Sequence, residues 1–215
     1  MPLESNTLRL YLIRHTEPEG GRSWTILGHK DTPLSEDGKR HAEEIAGRFA
    51  DLPLDAVYCS DLERAWWTAD LVARSKDLPA HRLEALRELD CGIMDGLKRD
   101  EARKNHPEVF EGLRNDPVGY RIPGGETMIE LAARVRAVLE KIIGAGGRRV
   151  LIVGHAVVNR VVLCDALGLP LEFAYRIDQS YGGLNVIEYG GRHPMVQTMN
   201  SPVIPEQAAK PWKDL

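Results

Sequence analysis

Two histidines each close a short apolar run. Leu8-Arg9-Leu10-Tyr11-Leu12-Ile13 leads into Arg14-His15, and Val150-Leu151-Ile152-Val153 leads into Gly154-His155. A third run, Ala56-Val57-Tyr58-Cys59, passes through Ser60-Asp61 into a segment of helical periodicity with Arg64 in its first turn. Mostly apolar runs of this length read as strands buried on both faces, and parallel strands of open α/β sheets present their carboxyl ends to ligands. Three strand ends thus bring two imidazoles and two guanidiniums to one rim. Arginine is the side chain for planar, multidentate anion recognition, and two buried guanidiniums without an anion are costly, so the set predicts a phosphate-sized ligand.

With a phosphate in place, a neutral imidazole aimed at phosphorus is a nucleophile, and His15 would carry the phosphoryl group. Arg14, Arg64 and His155 would hold and neutralise that group in transfer. The leaving oxygen needs a proton. Glu88, at the end of segment 83–89 and just before the turn-rich Cys91-Gly92-Ile93-Met94-Asp95-Gly96, is the candidate acid, later deprotonating the attacking water. Singly, these residues have plainer readings: a strand-end histidine is often only hydrogen-bonded structure, and Glu88 reads equally as a solvated surface carboxylate. A metal reading of His15, His155 and carboxylates is weaker. No histidine pair spaced i, i+4 encloses a glutamate and no cysteine pair has ligand spacing, so no metal or cofactor is expected. The glycine-rich stretches match neither a P-loop nor a dinucleotide fingerprint. His29, His41, His81, His106 and His193 read as loop or helix-surface residues and are assigned no role.

The elements that must position these groups follow in order. Residues 16–33, rich in Gly, Pro and charge, form a loop long enough to be functional. Ser35 caps a helix to about residue 51, with Glu36 and Asp37 in its first turn and Ile45 and Phe49 on its apolar face. After strand 56–59, a helix from about 61 to 75 carries Leu62, Ala65, Ala69 and Val72 at helical spacing. The adjacent Trp66 and Trp67 cannot share one face and form no aromatic cage. Residues 97–125, polar and broken by Pro107, Pro117 and Pro123, form an excursion with one or two short helices over the strand ends. A helix from about 126 to 143 follows, with Leu131, Val135, Val138 and Ile142 as its stripe, stopped by Gly144, Gly146 and Gly147. Another spans 156–167 and ends at Gly168 before Pro170. Residues 185–189 and 195–199 form a terminal hairpin through Gly190-Gly191, and a mobile tail is expected from about 201.

With 215 residues, the chain suits one α/β domain. The expected organisation is a single domain over 1–215 with a small lid-like excursion at about 93–125. Its net charge of −4 argues against a nucleic-acid surface. Met1-Pro2-Leu3-Glu4-Ser5-Asn6 lacks the basic and apolar regions of a secretory signal, and no apolar stretch approaches the roughly twenty residues of a membrane span. Cys59, Cys91 and Cys164 are widely spaced in apolar surroundings and read as reduced core thiols of a cytoplasmic protein.

At these residues the chain resembles the histidine phosphatase superfamily, the phosphoglycerate-mutase-like family, over nearly its whole length to about residue 199. The family's opening Arg-His-Gly-Glu stands here as Arg14-His15-Thr16-Glu17. Gly28, Asp31, Pro33-Leu34-Ser35 and Gly38 match its loop and helix start, and Ser60-Asp61-Leu62-Glu63-Arg64-Ala65-Trp66-Trp67-Thr68-Ala69 matches its most specific block. Leu86-Arg87-Glu88, Pro123-Gly124-Gly125-Glu126-Thr127 and Val153-Gly154-His155 complete the set. The resemblance implies a three-layer α/β/α sandwich with a mostly parallel central sheet. It implies His15 as nucleophile, Glu88 as acid, and Arg14, Arg64 and His155 as the phosphate pocket. Thr16 replaces the usual Gly, Ala156 replaces the Gly that commonly follows the second histidine, and Gly21 or its neighbours stand where many members carry a phosphate-contacting Asn. Arg22 or Ser23 is the expected substitute for that Asn, and Ala156 is kept as a substrate-binding candidate.

Within the family, the short segment between Glu88 and Glu126 and the stretch Gln179-Ser180-Tyr181-Gly182-Gly183-Leu184-Asn185-Val186-Ile187 resemble small phosphatases, including α-ribazole phosphatase-like members. A mutase must shield its phosphohistidine from water, which favours a longer lid. The expectation is a metal-independent phosphomonoesterase of a small phosphorylated metabolite, acting as monomer or homodimer. The alternatives are a mutase, revealed by dependence on a bisphosphorylated primer, and a catalytically idle phosphate- or phosphoprotein-binding module, which loss of a catalytic residue would support. None of the five catalytic candidates is lost.

Overall fold

The computed structural model describes residues 7–202. The three apolar runs become neighbouring strands: β1 (Leu8–Arg14), β2 (Ala56–Ser60) and β4 (Arg149–Gly154). With β3 (Ala80–Leu83), β5 (Leu184–Tyr189) and β6 (Met195–Ser201) they form a six-stranded sheet of order β3-β2-β4-β1-β5-β6. The first four strands of that order run parallel, β5 is antiparallel to β1, and β6 closes a hairpin on β5.

Side chains alternate across a strand, and here both faces are apolar because both are covered. Leu10, Leu12, Val150 and Ile152 pack on one side with α5 (Met128–Gly144) and α6 (Ala156–Leu167). Tyr11, Ile13, Leu151 and Val153 pack on the other with α1 (Glu36–Phe49) and α2 (Glu63–Arg74). The result is the expected three-layer α/β/α sandwich with a mostly parallel sheet.

Local chemistry sets the helix ends. Ser35 Oγ accepts the Gly38 N–H at 3.0 Å and caps α1 as expected. Helix α2 begins at Glu63 rather than 61, with Leu62 as its cap residue. Helix α5 begins at Met128 rather than 126, because Thr127 and Glu130 form a reciprocal capping box there. Its buried stripe runs through Leu139, while Val138 is only half-buried. Gly168 ends α6 in the left-handed region at φ 65°.

One strand has no apolar signature. The edge strand β3 is half-exposed, with His81 and Arg82 facing solvent, so pattern alone leaves it unread. His81 is therefore a strand residue, its ring 5.3 Å from that of Tyr58. Trp66 lies under the Arg82 guanidinium at 3.8 Å.

The excursion contains α3 (Arg99–Asn105) and α4 (Pro107–Asn115). It is stitched to the loop after β1: Ile26 N–H donates to Leu97 O, Gly96 N–H to Ile26 O, and Arg99 N–H to Trp24 O. Gly92 and Gly125 allow a second close approach, since a Cβ on Gly92 would lie 2.2 Å from Pro123 O and one on Gly125 2.3 Å from Asp90 O. Strand β6 runs through Ser201, Pro202 follows as an exposed bend, and the expected tail from 203 on, like residues 1–6, lies outside the described residues. Among the described residues no helix is long and apolar enough to cross a membrane.

Candidate active site

Strand register brings the two histidines together. Arg14 of β1 pairs with Gly154 of β4, and His15 N–H donates to Gly154 O at 3.0 Å, so His15 and His155 leave adjacent strands side by side. Their ring centroids lie 5.0 Å apart, and both side chains are buried. Nδ1 of His15 lies 2.7 Å from Thr16 O. A carbonyl can only accept, so Nδ1 carries the proton and Nε2 presents its lone pair. The Thr16 side chain does not narrow this space. It turns into the protein, where its Oγ1 sits 3.3 Å from Thr68 Oγ1 on α2.

The guanidiniums are held by backbone carbonyls. Arg14 Nη1 donates to Gln179 O at 2.6 Å, and its guanidinium stacks 3.9 Å from the Tyr181 ring centroid. Arg64, 1% exposed, donates to Lys30 O at 2.8 Å and Gly28 O at 2.7 Å. Gly28 has φ 43°, which turns its carbonyl toward Arg64, and a Cβ there would lie 1.9 Å from Asp95 Oδ1. Four buried nitrogens of this cluster have no hydrogen-bond partner: Nε of Arg14, Nε of Arg64, and both ring nitrogens of His155. Buried polar groups are satisfied as a rule, so the two guanidinium N–H groups and the single N–H of a neutral His155 make this cluster a candidate anion site.

Electrostatics point the same way. Burial, reinforced by Arg64 and Arg14, holds His15 well below the usual histidine range. Burial, followed by Arg64, His15 and Arg14, does the same to His155. Burial also lowers both arginines, which remain cationic. Two fixed cations and two neutral imidazoles suit a phosphate dianion. In an NMR titration from pH 8 to 5, neither ring is expected to protonate with a midpoint near 6.5. Unfolded imidazoles do take up protons from about pH 6.5 downward, so the unfolded state then binds more protons and stability falls as pH drops below that value. A midpoint of 6.5 or above for His15 would contradict the burial argument.

Glu88 joins the same cavity, of about 300 Å³, lined also by Arg14, His15, Arg64 and Tyr181. Its carboxylate accepts N–H bonds from Leu89 at 2.9 Å and from Val157, in the first turn of α6, at 3.1 Å. The structure thus brings Arg14, His15, Arg64, Glu88 and His155 together. Arg22 and Ser23 are elsewhere. Arg22 is 73% exposed and pairs with Glu17 and Asp37, while Ser23 Oγ bonds Gly20 O at 2.7 Å. The left-handed residues Gly20 and Trp24 swing this turn outward, and the carboxylates beside it hold Arg22. The loop faces the cavity instead with Thr25, Ile26, Leu27 and Gly28. Ala156 is not on the cavity wall, although its neighbour Val157 is. Among the described residues no group of three or more His, Cys, Asp or Glu side chains is arranged to hold a metal ion. The thiols are free, with Cys59 and Cys164 buried and Cys91 half-buried on the cavity wall.

The sequence model of the histidine phosphatase superfamily, branch 1, matches residues 10–202. The chain belongs to this superfamily. It is 28% identical over 194 residues to phosphoserine phosphatase 1 of Hydrogenobacter thermophilus, covering 90% of this chain and 92% of that one. It is 33% identical over 183 residues to the probable phosphoglycerate mutase GpmB of Escherichia coli O1:K1 / APEC, covering 85% of each. Among solved structures, the α-ribazole phosphatase from Shigella flexneri superposes with a TM-score of 0.85 at 27% identity, covering 92% of this chain and 98% of that one.

As a histidine phosphatase, the chain has supporting residues that pattern reading left without a role. Arg134 of α5 donates to the carbonyls of Ala85, Arg87 and Glu88 at 2.9, 2.7 and 2.8 Å, and pairs with Glu126. His29 Nε2 donates to the same Glu88 carbonyl at 2.8 Å. This is a correction: His29 braces the backbone of the candidate acid. Behind Arg14, the buried side chains of Gln179 and Asn185 bond each other, which fixes the carbonyl that Arg14 uses. Glu126 and Gln179 lie in the segments 123–127 and 179–187, but nothing in their spacing says what they touch.

Arg134 is a positioning residue in this scheme. Arg134→Ala is expected to lower kcat by about tenfold or more, with a larger loss for alkyl than for p-nitrophenyl phosphate, because a misplaced acid matters most where the leaving group needs protonation. Equal losses on both substrates would reduce Arg134 to a merely structural role.

Proposed function

We propose that the protein is a metal-independent phosphomonoesterase working through a phosphohistidine on His15. The observation that carries this reading is the buried cluster: Arg14, His15, Arg64 and Glu88 line one cavity, the His155 ring lies 5.0 Å from that of His15, and Nε of Arg14, Nε of Arg64 and the His155 ring nitrogens have no partner among the described residues. The names of the phosphatase relatives support it.

In the first half-reaction, Nε2 of His15 attacks phosphorus, the bond from phosphorus to the ester oxygen breaks, and Glu88 gives its proton to the departing alcohol. Arg14, Arg64 and His155 hold the non-bridging oxygens throughout. In the second, Glu88 takes a proton from water as the water oxygen attacks phosphorus, and His15 leaves as neutral imidazole with inorganic phosphate. Residues 93–125 act as a lid-like wall over the leaving group.

The test is phosphate release from a panel of phosphomonoesters in EDTA, with mass spectrometry of the acid-labile group on His15. Turnover that resists EDTA and labels His15 is expected. The identity to probable phosphoglycerate mutases favours one second reading, phosphoryl transfer between hydroxyls, and turnover that requires a bisphosphorylated primer would select it. Labelling and turnover both absent would leave a phosphate-binding module.

A further inference from the structure

The cavity has two chemically different ends. One is the cluster of Arg14, His15, Arg64 and Glu88. Beyond it the lining is dominated by Leu27, Met94, Phe110, Leu113, Ile122 and Tyr175, contributed by the loop after β1, the excursion and the segment after α6. Among the side chains of this far end, the one with a full charge is Arg99, exposed at the start of α3.

A small polar alcohol is a poor match to such walls. A carboxylate or polyol removed from water needs charged or hydrogen-bonding partners, and a site that selects hydroxyls supplies them from several directions. Here Met94 and Ile122 are almost fully buried and back the wall, while the half-buried Leu27, Phe110 and Leu113 present its apolar contact surface. The volume is also generous. At about 30 Å³ of liquid per water, a cavity of this size corresponds to on the order of ten waters, and a phosphoryl group accounts for only part of it.

We infer that the preferred substrate is the phosphomonoester of a bulky, ring-bearing apolar alcohol, seated against Leu27, Phe110 and Leu113. The assignment rests on the phosphatase reading above. It separates this chain from the substrates that the names of its phosphoserine and phosphoglycerate relatives indicate. Phe110 and Leu113 sit half-buried on α4, in the excursion, and so become the specificity-determining side chains.

The test compares 2-(1-naphthyl)ethyl phosphate with glycerol 3-phosphate and O-phosphoserine. All three release alkyl alcohols, so leaving-group acidity does not decide the outcome. Wild type is expected to favour the naphthylethyl ester in kcat/KM by about a hundredfold. In Phe110→Ala and, separately, Leu113→Asn, the ratio of the naphthylethyl to the glycerol specificity constant is expected to fall about tenfold, mainly through KM. Two variants guard against one failing to fold, which circular dichroism checks. Equal or reversed preference in an enzyme that labels His15 overturns the leaving-group assignment alone. No hydrolysis even of p-nitrophenyl phosphate, with no label on His15, overturns the phosphatase reading and this assignment with it.

Discussion

His15→Ala is expected to remove phosphate release, with kcat falling by about 10⁴-fold or more on every ester tested. In the proposed mechanism the substitution deletes the atom to which phosphorus bonds, and His155 is not placed to replace it. His155 is 5.0 Å away between ring centroids, but it sits one strand over, at the head of α6. Affinity for inorganic phosphate should survive far better than turnover, because Arg14 and Arg64 are held by carbonyls of Gln179, Gly28 and Lys30 and do not depend on the His15 ring. Isothermal titration with phosphate beside initial-rate kinetics separates the two quantities. A variant that binds phosphate and does not turn over meets the expectation. Retention of more than about one part in a hundred of wild-type kcat would mean that water attacks phosphorus directly, and the phosphohistidine step would be abandoned.

Glu88→Gln is expected to have the second largest effect, a loss of about 10²- to 10⁴-fold in kcat for alkyl esters. The amide is nearly the same size and can still accept from Val157 N–H, so the fold should hold while the transferable proton is gone. The size of the loss should depend on the leaving group. p-Nitrophenolate departs without a proton, so phosphorylation of His15 should be spared and the second step, which needs a base for water, should become limiting. A burst of nitrophenol followed by slow turnover is the expected trace, together with accumulation of phosphorylated His15. Equal losses on nitrophenyl and alkyl esters, with no burst, would remove Glu88 from acid–base chemistry and return it to a structural carboxylate.

The candidate residues Arg14, His15 and His155 were legible because each lies where an apolar run stops, whereas Glu88 follows no such run and read equally as a surface carboxylate. A buried parallel strand must be apolar on both faces, so the first polar residue after it marks the sheet's carboxyl edge. Arg14, His15 and His155 follow from that rule, and Arg64 follows from the helix that the third strand feeds. The capping of α1 by Ser35 and the end of α6 at Gly168 were legible for a similar reason, since both depend on side-chain chemistry within a few residues.

What tertiary structure alone decided lies in contacts between segments far apart in sequence. The expectation that Arg22 would reach phosphate gave way to its pairing with Glu17 and Asp37, whose proximity only the folded loop creates. The brace of Arg134 and His29 on the Glu88 backbone joins three separate segments and has no signature in any one of them. The neutrality of the two imidazoles and the apolar far end of the cavity belong to the same class. Burial and the packing of one segment on another set both, and neither is a property of any short stretch of chain. Sequence by itself therefore determined the strand-end candidates and the helix caps, because strand ends and helix caps are local. Tertiary structure decided how those groups are charged, braced and walled, because desolvation and packing are not.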